Sequence, residues 1–197
     1  MGAPDHTSLR GMRRAPLLHD RHHGFTLIEL LVTIAIVGVL LGLAAPALRE
    51  FVAKNKVAGI SNEFNAAILR ARGEAIRQNT CVSMCISTST QNAAPACSPA
   101  ETDWQKGWLL FVNKSCDATT PAATADILQA RSADQAQYTM TASTPIVTFT
   151  AQGRVRGQAT TFGLRDAGDT STHYGRDIVL SLQGRTTIAA PAPPADN

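Results

Sequence analysis

Two kinds of residue in this chain could do chemistry: one isolated glutamate and four cysteines. Glu29 is the single charge in the run from Phe25 to Ala45. A carboxylate left unpaired in lipid costs a few kcal/mol, so an acid in that run needs a partner from outside it. Cys81, Cys85, Cys97 and Cys116 are even in number. In an exported domain they read as two disulfides, with three connectivities open. Cys85–Cys97 would close a polar, proline-containing loop and is the favoured pair, which leaves Cys81–Cys116. Zinc is the poorer reading, because Cys81 and Cys85 are not spaced as C-x-x-C and no histidine lies near them. His6, His19, His22 and His23 all precede the apolar run, and His173 stands alone after it. Asp166, Asp169 and Asp177 around Gly168 lack the dense oxygen spacing of a calcium loop. The chain has no Walker A, G-x-S-x-G or H-E-x-x-H pattern, so neither catalysis nor a cofactor is expected.

The elements that carry these residues begin with the apolar run. At about 1.5 Å per residue it is about 30 Å long as a helix, enough to cross a bilayer core. Arg10, Arg13, Arg14 and Arg21 precede it, opposed by Asp5 and Asp20. Basic flanks stay cytoplasmic, so the C-terminal bulk should face outward across the inner membrane of a bacterium. A secretory signal would end at a small-residue cleavage site. Here Pro46-Ala47-Leu48-Arg49-Glu50-Phe51 follows and continues as an amphipathic helix, so the membrane helix is expected to stay. A plain anchor with an incidental glutamate is the alternative.

Gly24-Phe25-Thr26-Leu27-Ile28-Glu29 resembles the processing site of type IV pilins and type II secretion pseudopilins. The resemblance implies cleavage between Gly24 and Phe25 by a prepilin peptidase, then N-methylation of Phe25. It implies that Glu29, fifth in the processed chain, pairs with the amino terminus of a neighbouring subunit during assembly. Other pilin or pseudopilin subunits and an inner-membrane assembly platform are the further partners it implies. Pro46 falls where many pilin helices bend, and a proline there removes one helical hydrogen bond. Residues 1–24 read as the leader, 25–45 as the membrane and assembly helix, 46–189 as a periplasmic domain, and 190–197 as a disordered Pro/Ala-rich tail. Met12 is an alternative start that keeps Arg13, Arg14 and Arg21.

The net charge of +3 comes mostly from the leader and says little about partners. From 47 to about 78, Val57, Ile60, Phe64, Ala67, Ile68, Ala71 and Ala75 recur at helical spacing, a stripe suited to a sheet rather than to lipid. Gln78-Asn79-Thr80 should end it. Strands are expected at Cys81–Ser87, Trp104–Val112, Ile127–Arg131, Gln137–Ala142, Ile146–Thr150, Ala159–Leu164, Asp177–Leu182 and Arg185–Ala189. Glycines at 153, 157, 163, 168, 175 and 184 read as turns. The fold class is α+β, a long N-terminal helix packed on antiparallel sheet.

Cys85, Cys97, Trp104 and Gly107-Trp108-Leu109-Leu110-Phe111 are similar to the pattern of GspH/FimT minor pilins. Ile146-Val147-Thr148-Phe149-Thr150 with Gly153-Arg154, and Arg176–Ser181 with Gly184-Arg185, fit the same family. The implied function is a structural subunit of a type II secretion pseudopilus or a type IV pilus. FimT-type members are associated with DNA through a G-R-x-R motif at the chain's end, which makes a DNA-binding minor pilin of a competence pilus the alternative. Gly153-Arg154-Val155-Arg156 has those letters well before the end, and Gly184-Arg185-Thr186-Thr187 lacks the second arginine. Arg154, Arg156 and Arg185 are therefore candidate DNA contacts, but solvated arginines guarding a sheet edge are the favoured reading. Trp104 and Trp108 read as core rather than as a binding platform.

Overall fold

The structure, a computed structural model, describes residues 25–133, 137–167 and 175–191. The chain divides into two compact units between Ala45 and Pro46. One helix, α1 (Leu27–Gln78), contributes to both and is helical through Pro46. In the first unit its side chains are exposed from Leu27 to Ala44.

In the second unit the expected stripe is buried, with Val57, Phe64, Ile68, Ala71 and Ala75 each almost fully covered. Asn79 ends α1 in the left-handed region (φ +49). Its N–H donates to Ile76 O and that of Thr80 to Ala75 O, a Schellman ending with asparagine in the usual glycine place. Among the described residues nine strands follow: β1 (Val82–Ile86), β2 (Gly107–Val112), β3 (Ile127–Ser132), β4 (Tyr138–Thr141), β5 (Ile146–Phe149), β6 (Val155–Arg156), β7 (Thr160–Asp166), β8 (Arg176–Leu180) and β9 (Thr186–Ala189). They form two sheets, ordered β3-β2-β1-β5-β6 and β4-β7-β8-β9, and the pairings in both are antiparallel.

β1 is covered on both faces, with all five of its residues buried. Its second face is covered where Cys85, Leu109 and Phe111 pack with Cys97, Ile127 and Ile146. Trp104–Lys106 is a 3-10 turn rather than the start of a strand, held by Asp103, whose carboxylate accepts from Gln105 N. Gly107 then enters β2 at φ +118, where a Cβ would strike Ser87 O and Arg131 O. Gly163 lies inside β7 rather than in a turn, and the short β6 carries no sequence signal of its own.

Phe64 carries the helix into the core. Its ring meets Trp104 at 5.5 Å, Phe162 at 4.8 Å and Trp108 at 6.5 Å, all edge-on. Both tryptophans are buried, and Trp104 Nε1 donates to Thr144 O. They are core residues, as their strand context implied.

Gly184 sits at φ +73, and a Cβ there would run into the carbonyl oxygen of Gly153 and crowd the Arg72 side chain. Gly184→Ala should therefore cost about 2–3 kcal/mol, from left-handed strain plus the clash. Chemical denaturation of the full chain measures it, and a loss below about 0.5 kcal/mol would contradict the packing.

Candidate assembly site

The candidate site begins at the first described residues, since Gly24 lies outside them. Phe25 is exposed, and Thr26 caps the helix. Thr26 Oγ1 accepts from the N–H of Glu29 at 3.3 Å, and Thr26 O accepts from Leu30 N at 3.2 Å. This satisfies an N–H that a helix start would otherwise leave bare. The sequence carries a signal for it that hydropathy alone does not, the Thr-x-x-Glu spacing of a capping box.

Glu29 thus lies in the first turn of α1, where a negative charge favours the helix dipole. Its carboxylate has no ion-pair or hydrogen-bond partner among the described residues. Leu27–Ala44 follows, long and apolar enough to cross a membrane. A capped helix start thus holds one unsatisfied acid at the head of an uncovered apolar rod. In lipid or in a helix bundle that acid must either take up a proton or meet a partner brought from outside.

The remaining candidates lie in the second unit. The structure joins Cys81 to Cys116 and Cys85 to Cys97, with Cα–Cα distances of 5.2 and 5.7 Å. Arg154 and Arg156 are both exposed on either side of buried Val155. They are not equivalent, because Arg156 pairs with Asp117. Arg185 is exposed after Gly184. Arg165 is tied to Asp177 at 2.7 Å, and Arg176 Nη1 donates to Gly175 O. His173, Tyr174 and Asp169 lie outside the described residues, and no cluster of metal-binding side chains occurs among the described ones. Gln78, and then Arg77, hydrogen-bond the Glu74 carboxylate and hold its pKa below the usual range. Burial, with the Asp166 carboxylate adding to it, raises that of the Tyr138 phenol.

An exposed apolar helix whose continuation is buried against antiparallel sheets is the architecture of a type IV pilin-like subunit. Comparison with known proteins agrees. The chain matches the Type II transport protein GspH family over residues 61–184, more than half its length, and it belongs to that family. Residues 19–45 match the prokaryotic N-terminal methylation motif. The type IV major alpha-pilin of Moraxella bovis is 44% identical over 43 residues, which span 22% of this chain and 27% of that pilin. The type IV minor pilin FimU of Pseudomonas aeruginosa, in one crystal form, superposes with a TM-score of 0.55 at 24% identity, covering 73% of this chain and 98% of FimU. A second crystal form gives 0.52, covering 69% and 98%. At that identity the likeness establishes the fold. The chain is thus a GspH-family protein with a type IV pilin-like fold.

Proposed function

We propose that this subunit is stored in the bacterial inner membrane and then drawn into a helical fibre through its N-terminal helix. A prepilin peptidase cuts between Gly24 and Phe25, and Phe25 is N-methylated. The helix from 25 to 45 holds the chain in the membrane, with the domain from 46 onward in the periplasm and Pro46 giving the rod a place to bend. During assembly the Phe25 amino group of a neighbouring subunit neutralises Glu29, while apolar rods bury one another. The partnerless Glu29 carboxylate at the head of an exposed apolar helix carries this reading.

The fibre is a type II secretion pseudopilus or a type IV pilus. Deleting the chain separates them, since the first loses export of folded periplasmic proteins and the second loses surface pili. The DNA-binding alternative gains no support, because Arg156 is held by Asp117 and the G-R-x-R pair is divided. The processing step has its own test. Mass spectrometry of the mature chain should show Phe25 as the first residue, carrying one methyl group. A chain that begins beyond Ala45 would end the proposal.

A further inference from the structure

Two turns of the second unit repeat one pattern. Thr150-Ala151-Gln152-Gly153-Arg154 joins β5 to β6, and Ser181-Leu182-Gln183-Gly184-Arg185 joins β8 to β9. Both read hydroxyl, aliphatic, Gln, Gly, Arg, and their backbones match as well. In each, the first residue's N–H donates to the arginine carbonyl, at 2.8 and 2.9 Å, and the glycine N–H donates back to the first residue's carbonyl, at 2.8 and 2.9 Å. The glycines have φ of +71 and +73.

The twin turns lie against each other. Gly184 abuts the Gly153 carbonyl, and Val155 N donates to Leu182 O at 2.9 Å. Arg72 of α1 locks them, its Nε donating to Gly153 O at 3.0 Å, while the Ile76 side chain presses on Gly153. One turn belongs to each sheet, so a single tip is built from both sheets and held by the helix.

That tip displays an unusual mixture. Beyond Val52 the exposed large apolar side chains among the described residues are Leu69, Ile76, Val179 and Leu182. Two of those four sit here, Ile76 at 50% and Leu182 at 39% exposure. Beside them stand Arg154 and Arg185, whose side chains have no ion-pair or hydrogen-bond partner among the described residues. Water-exposed aliphatic groups here stand next to free guanidiniums, and arginine is enriched at protein interfaces. A nucleic-acid track would want a longer row of free cations, and Arg156 and Arg165 are already paired with carboxylates. A second copy of this chain fits poorly as partner, because the described carboxylates of this unit each already hold an ion pair or hydrogen bond.

We propose that the tip formed by the two Gln-Gly-Arg turns and Ile76 docks an acidic face of a different pilin-like subunit. Leu182 and Ile76 supply the apolar anchor, and Arg154 and Arg185 grip carboxylates at its rim. This rests on the assembly reading above.

The experiment places p-benzoyl-phenylalanine at position 182 of the full chain, in cells that assemble the fibre, and identifies the photocrosslinked partner by mass spectrometry. The expected product is a heterologous subunit that itself carries an N-terminal methylation motif. Arg154→Glu with Arg185→Glu should lower its yield about tenfold or more, whereas lysine at both positions should keep most of it. Thermal melts check that the double variant still folds, and Arg154→Gln with Arg185→Gln replaces it if it does not. A crosslink to the chain's own copy, a crosslink to nucleic acid, or a yield indifferent to the charge reversal overturns the proposal. If the chain enters sheared fibres but position 182 captures nothing, this surface fails and the assembly reading stands. If the chain never enters fibres, the assembly reading itself fails.

Discussion

Glu29→Ala is expected to insert into the membrane at least as well as the parent chain and yet to be nearly absent from sheared fibres. The two halves of that result have separate causes. Insertion should not suffer, because removing an unpaired carboxylate from an apolar helix relieves a cost of a few kcal/mol. The helix start also survives, since Thr26 caps through the backbone N–H of residue 29, which alanine retains. Incorporation should suffer because, in a packed bundle, the neighbour's amino group would then be buried without a counter-charge. Breaking one side of a buried ion pair costs about 3–5 kcal/mol, so incorporation should fall about a hundredfold or more. Glu29→Gln keeps the shape and loses the charge, and should fail almost as badly. Immunoblots of membrane and sheared-fibre fractions give both halves at once. Normal incorporation of either variant would show that the acid is not the assembly contact.

That acid stands out in the sequence because a lone charge in a long apolar run departs from the composition around it. The amphipathic half of α1 was legible for the opposite reason, since Val57, Phe64, Ile68 and Ala75 obey a period that only one buried face explains. The strands were harder. Sequence does not show that the chain from 88 to 103 folds back over β1: Ser98 N donates to Ile86 O, and Ser87 Oγ donates to Ala96 O. Trp104 belongs to a strand by residue type, but Asp103 and Gly107 fold it into a turn whose capping bond is visible only in three dimensions. The division into two sheets was also hidden, because nothing local tells β5 to pair with β1 rather than with β4. The arginines show the sharpest gap. Arg154 and Arg156 are equivalent by spacing, yet Asp117, far away in sequence, takes one and leaves the other.

The second large effect concerns the bridge between Cys81 and Cys116. It joins residues 35 apart in sequence, whereas Cys85 and Cys97 are 12 apart. A cross-link acts chiefly by limiting the unfolded chain, and the limit grows with the logarithm of loop length. The longer loop should be worth about 4 kcal/mol and the shorter about 3. Cys81 also stands just after α1 ends, so its bridge ties the exit of the helix to the loop that follows β2. Alanine is the right replacement, because a serine hydroxyl at buried position 81 would add an unsatisfied polar group and confuse the reading. Cys81→Ala with Cys116→Ala should lower the melting temperature of the second unit by about 10 °C in the full, detergent-solubilised chain. Cys85→Ala with Cys97→Ala should lower it by less through loop closure, with an added loss because Cys85 and Cys97 pack with Leu109 and Phe111. Lengthening the loop between Cys85 and Cys97 with glycine and serine separates the two contributions, since the closure part should grow by only about 0.6 kcal/mol per doubling while the packing part stays fixed. If removing the Cys81–Cys116 bridge changes the melting temperature by no more than a degree or two, the helix exit is held by the Schellman ending and the sheet alone, and the cross-link is dispensable for folding.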